Sequence, residues 1–180
     1  MEIMKSELEG FFAILPKIYE DSRGFFMETY QSQRYNNIGI NEDFIQDNHS
    51  RSKKGVIRGL HFQLQRPQAQ IVTLLRGHIF DVVVDLRKNS STFGKWASFE
   101  LSDKTNFRQV YMAPGFAHGF LTLSEYSDLH YKVSEIYNPN DEYGLIWNDD
   151  SVGIQWPKLD FNINERDQNF PCFDVIKEFL

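Results

Sequence analysis

Short apolar runs separated by glycine, proline and acidic turns dominate the chain from Gly10 onwards, and their spacing is that of strands. Gly10–Pro16 predicts a strand, Glu20–Gly24 a turn and Phe25–Tyr30 an aromatic strand, with a short helix over 31–38. Phe44–Asn48 and Gly55–Gln63 read as strands joined by a polar, basic connector at 49–54. The clearest signal is Ile71–Leu75 and Ile79–Leu86 about Arg76-Gly77. Apolar residues at successive positions on both sides of a glycine turn predict a hairpin in a sheet covered on more than one face. Lys95–Leu101, Gln109–Met112, Phe116–Leu123 and Leu129–Tyr137 continue the series. Beyond Tyr137 the alternation stops: loops packed on the strands are expected, then a short terminal helix over Phe173–Leu180. Many short strands between turns predict a mostly β sandwich or barrel with little helix.

At 180 residues the chain is expected to form one domain, residues 1–180. A net charge of -6, with Arg51-Ser52-Lys53-Lys54 as the only basic run, argues against nucleic acid as a partner. Cys172 is the single cysteine, so no disulfide can close within the chain, which fits a reducing compartment. The first ten residues mix acids with apolar residues and do not read as a secretory signal. No apolar stretch approaches the roughly 20 residues of a membrane helix. A cytoplasmic protein that engages no membrane is expected.

The chemistry concentrates in four words: Asp21-Ser22-Arg23-Gly24, Gln46-Asp47-Asn48 with Arg58-Gly59-Leu60-His61-Phe62-Gln63, Pro114–Gly119, and His130-Tyr131-Lys132. At strand spacing Arg58 and His61 face opposite ways, unless Gly59 bends the strand and brings both toward one pocket. From these residues alone, a half-buried structural histidine beside a surface arginine stays open as an alternative. A metal site is disfavoured because no His-x-His pair occurs and the five histidines are scattered. Neither a Gly-x-Ser-x-Gly elbow nor a phosphate-loop or dinucleotide fingerprint is present. What remains is general acid–base chemistry, with His61 as base, a tyrosine as acid and arginines for an anionic substrate.

Taken in order, Asp21–Glu28, Gln46–Ser50, Arg58–Gln63, Asp81–Arg87, Pro114–Phe120, Tyr131-Lys132 and Trp147-Asn148-Asp149 resemble the dTDP-4-dehydrorhamnose 3,5-epimerase family. The resemblance implies a cupin-type double-stranded β-helix (jelly-roll) barrel with a few short helices. It also implies a homodimer, and cofactor-free, metal-independent epimerisation of a nucleotide-linked 4-keto-6-deoxy sugar in deoxysugar synthesis for surface polysaccharide. By the same resemblance His61 is the base, Asp167 orients it and Tyr131 returns a proton on the opposite face of the sugar. Arg23 and Arg58 hold the diphosphate and Arg166 adds a third basic contact. Phe26 and Glu28 meet the nucleotide base, partly across the dimer interface, while Gln46 and Asn48 contact sugar or nucleotide and His118 supports the barrel mouth.

One position departs from the family pattern. Gln70 stands where the family carries a lysine that stabilises the enolate oxygen at C4, and a neutral amide forms a weaker bond to an oxyanion than an ammonium does. Three explanations are open: a variant substrate or a single inversion at C3, a charge supplied by Arg66 or Lys132, or a homologue that binds a sugar nucleotide without turning it over. A keto-sugar isomerase is the neighbouring activity. The nucleotide base, whether dTDP, CDP or GDP, is not legible in the sequence.

Overall fold

A computed structural model of the chain describes residues 1–180. Along it run β1 (Glu2–Lys5), β2 (Phe11–Leu15), β3 (Ile18–Asp21), β4 (Gly24–Met27), α1 (Ser32–Asn36), β5 (Gln46–Lys53), β6 (Ile57–Gln63), β7 (Gln70–Arg76) and β8 (His78–Asp85). There follow β9 (Trp96–Ser102), β10 (Gln109–Met112), β11 (Phe116–Thr122), β12 (Tyr126–Val133), β13 (Glu142–Gly144), α2 (Glu165–Gln168) and α3 (Phe173–Ile176). A six-stranded sheet in the order β1-β2-β10-β7-β12-β5 faces a five-stranded sheet in the order β13-β6-β11-β8-β9, and β3-β4 form a separate hairpin. The result is the mostly β, cupin-type jelly roll expected from the resemblance.

The expected hairpin at Gly77 is absent. β7 pairs with β10 and β12, whereas β8 pairs with β11 and β9, so the chain passes at Gly77 from one sheet to the other. Gly77 has a φ of +100°, and a Cβ there would meet the Tyr126 carbonyl oxygen at 2.3 Å, so glycine is required at this crossover. Two-faced burial was the correct reading of the apolar runs; a hairpin was the wrong way to satisfy it. The connector expected at 49–54 is also strand, since β5 runs to Lys53 with Ser50 and Ser52 turned inward and His49 and Arg51 outward. β12 starts and stops earlier than expected, β4 ends before Tyr30, and β1 and β13 form where no alternation is visible.

Three apolar clusters hold these layers. The largest, with Phe11, Val72, Leu74, Val83, Met112 and Phe120, lies between the two sheets. A second covers the outer face of the five-stranded sheet, where Leu60, Val82 and Val84 meet Leu145, Val152 and Ile176 of the C-terminal segment. A third packs Tyr35 and Ile40 on Ile14, Ile71 and Tyr111 of the other sheet. Each fully buried aliphatic side chain contributes about 1.5–3 kcal/mol by leaving water.

Polar staples fix the loops around this core. At the end of β8, Asp85 is fully buried and accepts hydrogen bonds from Arg87, Ser90 and Thr92. The Arg87 guanidinium lies 4.3 Å from the centre of the Phe116 ring, and a Cβ on Gly115 would meet Arg87 Cγ at 2.6 Å. Asp85 thereby shapes the Pro114–His118 stretch. Burial opposes its charge, but these donors hold its carboxyl down at about 2 against an ordinary 3.8. A depressed acid stabilises the fold above its unfolded value and loses that contribution as pH falls toward its folded one. Asp85→Asn should therefore cost about 2 kcal/mol at neutral pH and flatten the stability profile between about pH 4 and pH 2. Chemical denaturation followed by circular dichroism at stepped pH measures both effects.

Candidate active site

The site begins with a bulge. Between β6 and β11, His118 pairs with His61 and Phe120 with Arg58, so three steps along β6 match two along β11. The extra residue turns Arg58 and His61 to the same side, and both line one cavity between the sheets. Gly59 permits it: its φ is +112°, and a Cβ there would fall 2.6 Å from the His118 carbonyl oxygen. The bend allowed for in the sequence reading is a one-residue bulge.

Behind His61 stands Asp167 of α2, its side chain fully buried. One carboxylate oxygen lies 3.0 Å from His61 Nε2, and the other accepts the Gly59 N–H at 3.0 Å. Burial works against the charge on Asp167, yet the His61 hydrogen bond, the Gly59 amide and the Arg166 cation keep its carboxyl below the ordinary carboxylate range. Asn164 caps α2 by accepting from the Asp167 N–H at 2.7 Å, which sets where this carboxylate sits. A carboxylate on one ring nitrogen fixes the tautomer and leaves the other nitrogen basic.

The facing sheet supplies Tyr131. Burial pushes its phenol well above the ordinary value, so it holds its proton at neutral pH, and its Oη lies 3.0 Å from Ser50 Oγ. The cavity, about 260 Å³ in volume, is also lined by Asn48, Gln70 and His118. Asp81 holds His118 Nε2 at 2.9 Å. Asp81 is fully buried, its second oxygen has no partner, and burial raises its carboxyl above the ordinary range. The two cavity histidines are thus each committed to a separate carboxylate, and no group of three His, Cys, Asp or Glu side chains converges as metal ligands.

Other expected residues lie outside this cavity. Gln46 sits at its rim, donating to Asn48 Oδ1 at 2.9 Å and accepting from the Tyr137 N–H at 3.0 Å. Arg166 is beside His61, with Nη2 3.0 Å from the ring Nε2. Arg23 lies on the β3-β4 hairpin, 88% exposed and bonded to Asp21, while Phe26 is 70% exposed and Glu28 pairs with Arg34. Neither cation nominated to replace the lysine at position 70 lines the cavity: Arg66 is exposed, and Lys132 is bonded to Asp47 at 2.7 Å. Among the lining residues to which the sequence reading gave no role are Ser50, Gln63, Tyr137 and Glu142. Ser50 and Gln63 end words already singled out, whereas Glu142 sits in a stretch without strand alternation.

Comparison with known proteins finds relatives along most of the chain. The model of the dTDP-4-dehydrorhamnose 3,5-epimerase family matches residues 5–174. A Salmonella typhimurium dTDP-4-dehydrorhamnose 3,5-epimerase is 46% identical over 177 residues, covering 97% of this chain and 96% of its own length. A Legionella pneumophila 3,5-epimerase crystallised with dTDP-4-keto-L-rhamnose superposes with a TM-score of 0.94 at 41% identity, covering 97% of this chain and 94% of that one. ChmJ, a 3'-monoepimerase of Streptomyces bikiniensis crystallised with dTDP-quinovose, gives 0.89 at 29% identity, covering 96% and 88%.

Asp167→Asn keeps the shape of the dyad and removes its charge. Proton exchange catalysed at the cavity should fall about 100-fold or more with little change in substrate KM, as measured by deuterium uptake into a 4-keto sugar nucleotide. An unchanged rate would exclude Asp167 from the chemistry.

Proposed function

The chain belongs to the dTDP-4-dehydrorhamnose 3,5-epimerase family, and on that premise we propose that its cavity inverts C3 and C5 of a dTDP-linked 4-keto-6-deoxy-hexose. It is an isomerase of deoxysugar biosynthesis. The observation that carries the reading is the placement of His61 and Tyr131 on opposing sheets across one cavity. Inversion requires a proton to leave one face of the sugar and another to arrive on the other face, and a base and an acid on facing walls meet that requirement. Greater similarity to the double epimerases than to the monoepimerase supports reaction at both carbons. Single inversion, keto-group isomerisation and binding alone are correspondingly less favoured.

In this reading His61 takes the proton next to the C4 carbonyl while Asp167 holds the resulting imidazolium. Negative charge gathers on the C4 oxygen, where Gln70 and the neighbouring cavity donors stabilise it without an ammonium. Tyr131, kept protonated by burial, delivers hydrogen from the far side, and Arg58 with Ser50 lies beside the phenolate that forms. Arg58 is also the cavity cation suited to the diphosphate.

The exposed β3-β4 hairpin supports a homodimer. Phe25 and Phe26, 55% and 70% exposed, stand beside Arg23 on an arm that the rest of this chain leaves largely uncovered. A second copy would bring Arg23, Phe26 and Glu28 to the nucleotide end of its neighbour's cavity. No helix is long and apolar enough to cross a membrane, and the single cysteine suits the cytoplasm.

Incubation with dTDP-4-keto-6-deoxyglucose in deuterated water should place label at both C3 and C5. His61→Ala should reduce uptake by about 10² to 10⁴-fold, and Tyr131→Phe should let label enter while net epimerisation falls. No uptake by the wild type would sink the epimerase reading. Phe26→Asp should shift the protein toward a monomer in light scattering and raise KM for the nucleotide sugar; a dimer with unaltered KM would rule out the hairpin's role.

A further inference from the structure

Glu142 lies on β13, beside the base, in a segment whose sequence gives no hint of chemistry. β13 pairs with β6 so that Glu142 aligns with Gln63 and Gly144 with His61. The carboxylate is only 16% exposed, and its Oε2 accepts from Arg166 Nη1 at 2.5 Å and from Tyr137 Oη at 2.9 Å. The remainder of that guanidinium is turned to the dyad, with Nε 3.2 Å from Asp167 Oδ1 and Nη2 3.0 Å from His61 Nε2. Arg166 thus bridges two carboxylates while touching the ring that has to accept a proton.

That arrangement poses a chemical problem. A ring nitrogen has one in-plane position, filled by either a hydrogen or a lone pair. With a hydrogen, Nε2 donates to Asp167 and leaves Nδ1 free to take up a proton. With a lone pair, it accepts from Arg166, and the hydrogen then sits on Nδ1, where it blocks the base. A cation at this distance also opposes formation of imidazolium. Asp167, Glu142 and Arg166 together carry one net negative charge, so protonating His61 brings the group to neutrality. Without Glu142 the same step would build net positive charge in a cavity that already holds Arg58.

We propose that Glu142 is a positioning residue for proton abstraction, holding and neutralising Arg166 so that His61 donates through Nε2 to Asp167 and can accept a proton at Nδ1. The proposal rests on the reading of His61 as the base. The other titratable groups around His61 are Arg58 on β6, His118 on β11 with Asp81 of β8 behind it, Tyr131 on β12, and Tyr137. Glu142→Gln leaves all of them in place.

The test is the pH profile of deuterium uptake by the full chain with dTDP-4-keto-6-deoxyglucose, comparing wild type, Glu142→Gln, Arg166→Gln and the double variant. Glu142→Gln should lower the plateau about tenfold and move the acidic limb down by about one pH unit, with KM changed less than kcat. Arg166→Gln should move that limb up. Removing both should recover most of the rate lost in Glu142→Gln, because the cation that Glu142 offsets is gone. An unmoved limb in Glu142→Gln, or a double variant as slow as that single one, overturns the proposal. If Glu142→Gln does not fold, the Arg166→Gln limb decides: an upward shift supports the proposal and an unmoved limb overturns it. His61→Ala is measured in parallel, so a failure of Glu142 alone leaves the base assignment standing.

Discussion

A single buried carboxylate ties this molecule's chemistry to its architecture. Asp167 has no solvent exposure, and an isolated charge there would be strongly disfavoured. It persists as an anion because the His61 ring, the Gly59 amide and the Arg166 guanidinium all converge on it. Those same bonds dock α2 on β6, hold the bulge in register with the C-terminal segment and choose which nitrogen of the proposed base is free. On the proposed assignment, structural tether and catalytic orienter are one set of hydrogen bonds.

Around that point the fold solves a stereochemical problem by topology. An epimerase needs proton donor and acceptor on opposite faces of a ring, and a barrel of two facing sheets offers two such walls. His61 comes from the five-stranded sheet and Tyr131 from the six-stranded one. The crossover at Gly77 separates the neighbours β7 and β8 onto the two sheets, so that Gln70 of β7 lines the cavity from one side while Asp81 of β8 backs His118 on the other. Burial then sets opposite protonation preferences. Tyr131 keeps its proton because its surroundings are poor in water, whereas Asp167 stays charged because donors reach it directly.

The legible part of the site was the part written in local words. Arg58, His61, Tyr131 and His118 lie within short strands or at their ends; residue types and spacing allow Arg58 and His61 one pocket, the family resemblance adds Tyr131 and His118, and all four line one cavity. Gln70 is legible only as a departure from the family pattern, and it does line that cavity. Less visible was anything that depended on a partner distant in sequence. Asp167 is 106 positions from His61, and the family resemblance, rather than any local pattern, singled it out. Glu142 belongs to a three-residue strand formed only because β6 offers a free edge. Arg23 reads as a turn residue and, by the resemblance, as a diphosphate contact, but its position outside the cavity of its own chain depends on how the hairpin leaves the barrel.

By itself, then, the sequence determined the mostly β class, the positions of most strands, the two-faced burial of β7 and β8 and part of the chemical inventory of the cavity. These follow from side-chain periodicity, turn residues and side-chain types, all of which act over a few neighbouring residues. Only the tertiary structure decided that β7 and β8 separate onto two sheets, that 49–54 is strand, that one extra residue on β6 turns Arg58 and His61 the same way, and that Glu142 reaches Arg166. The reason is physical: strand pairing and ion pairing join groups far apart in the chain, and their energies depend on which surfaces meet, information that no single segment contains.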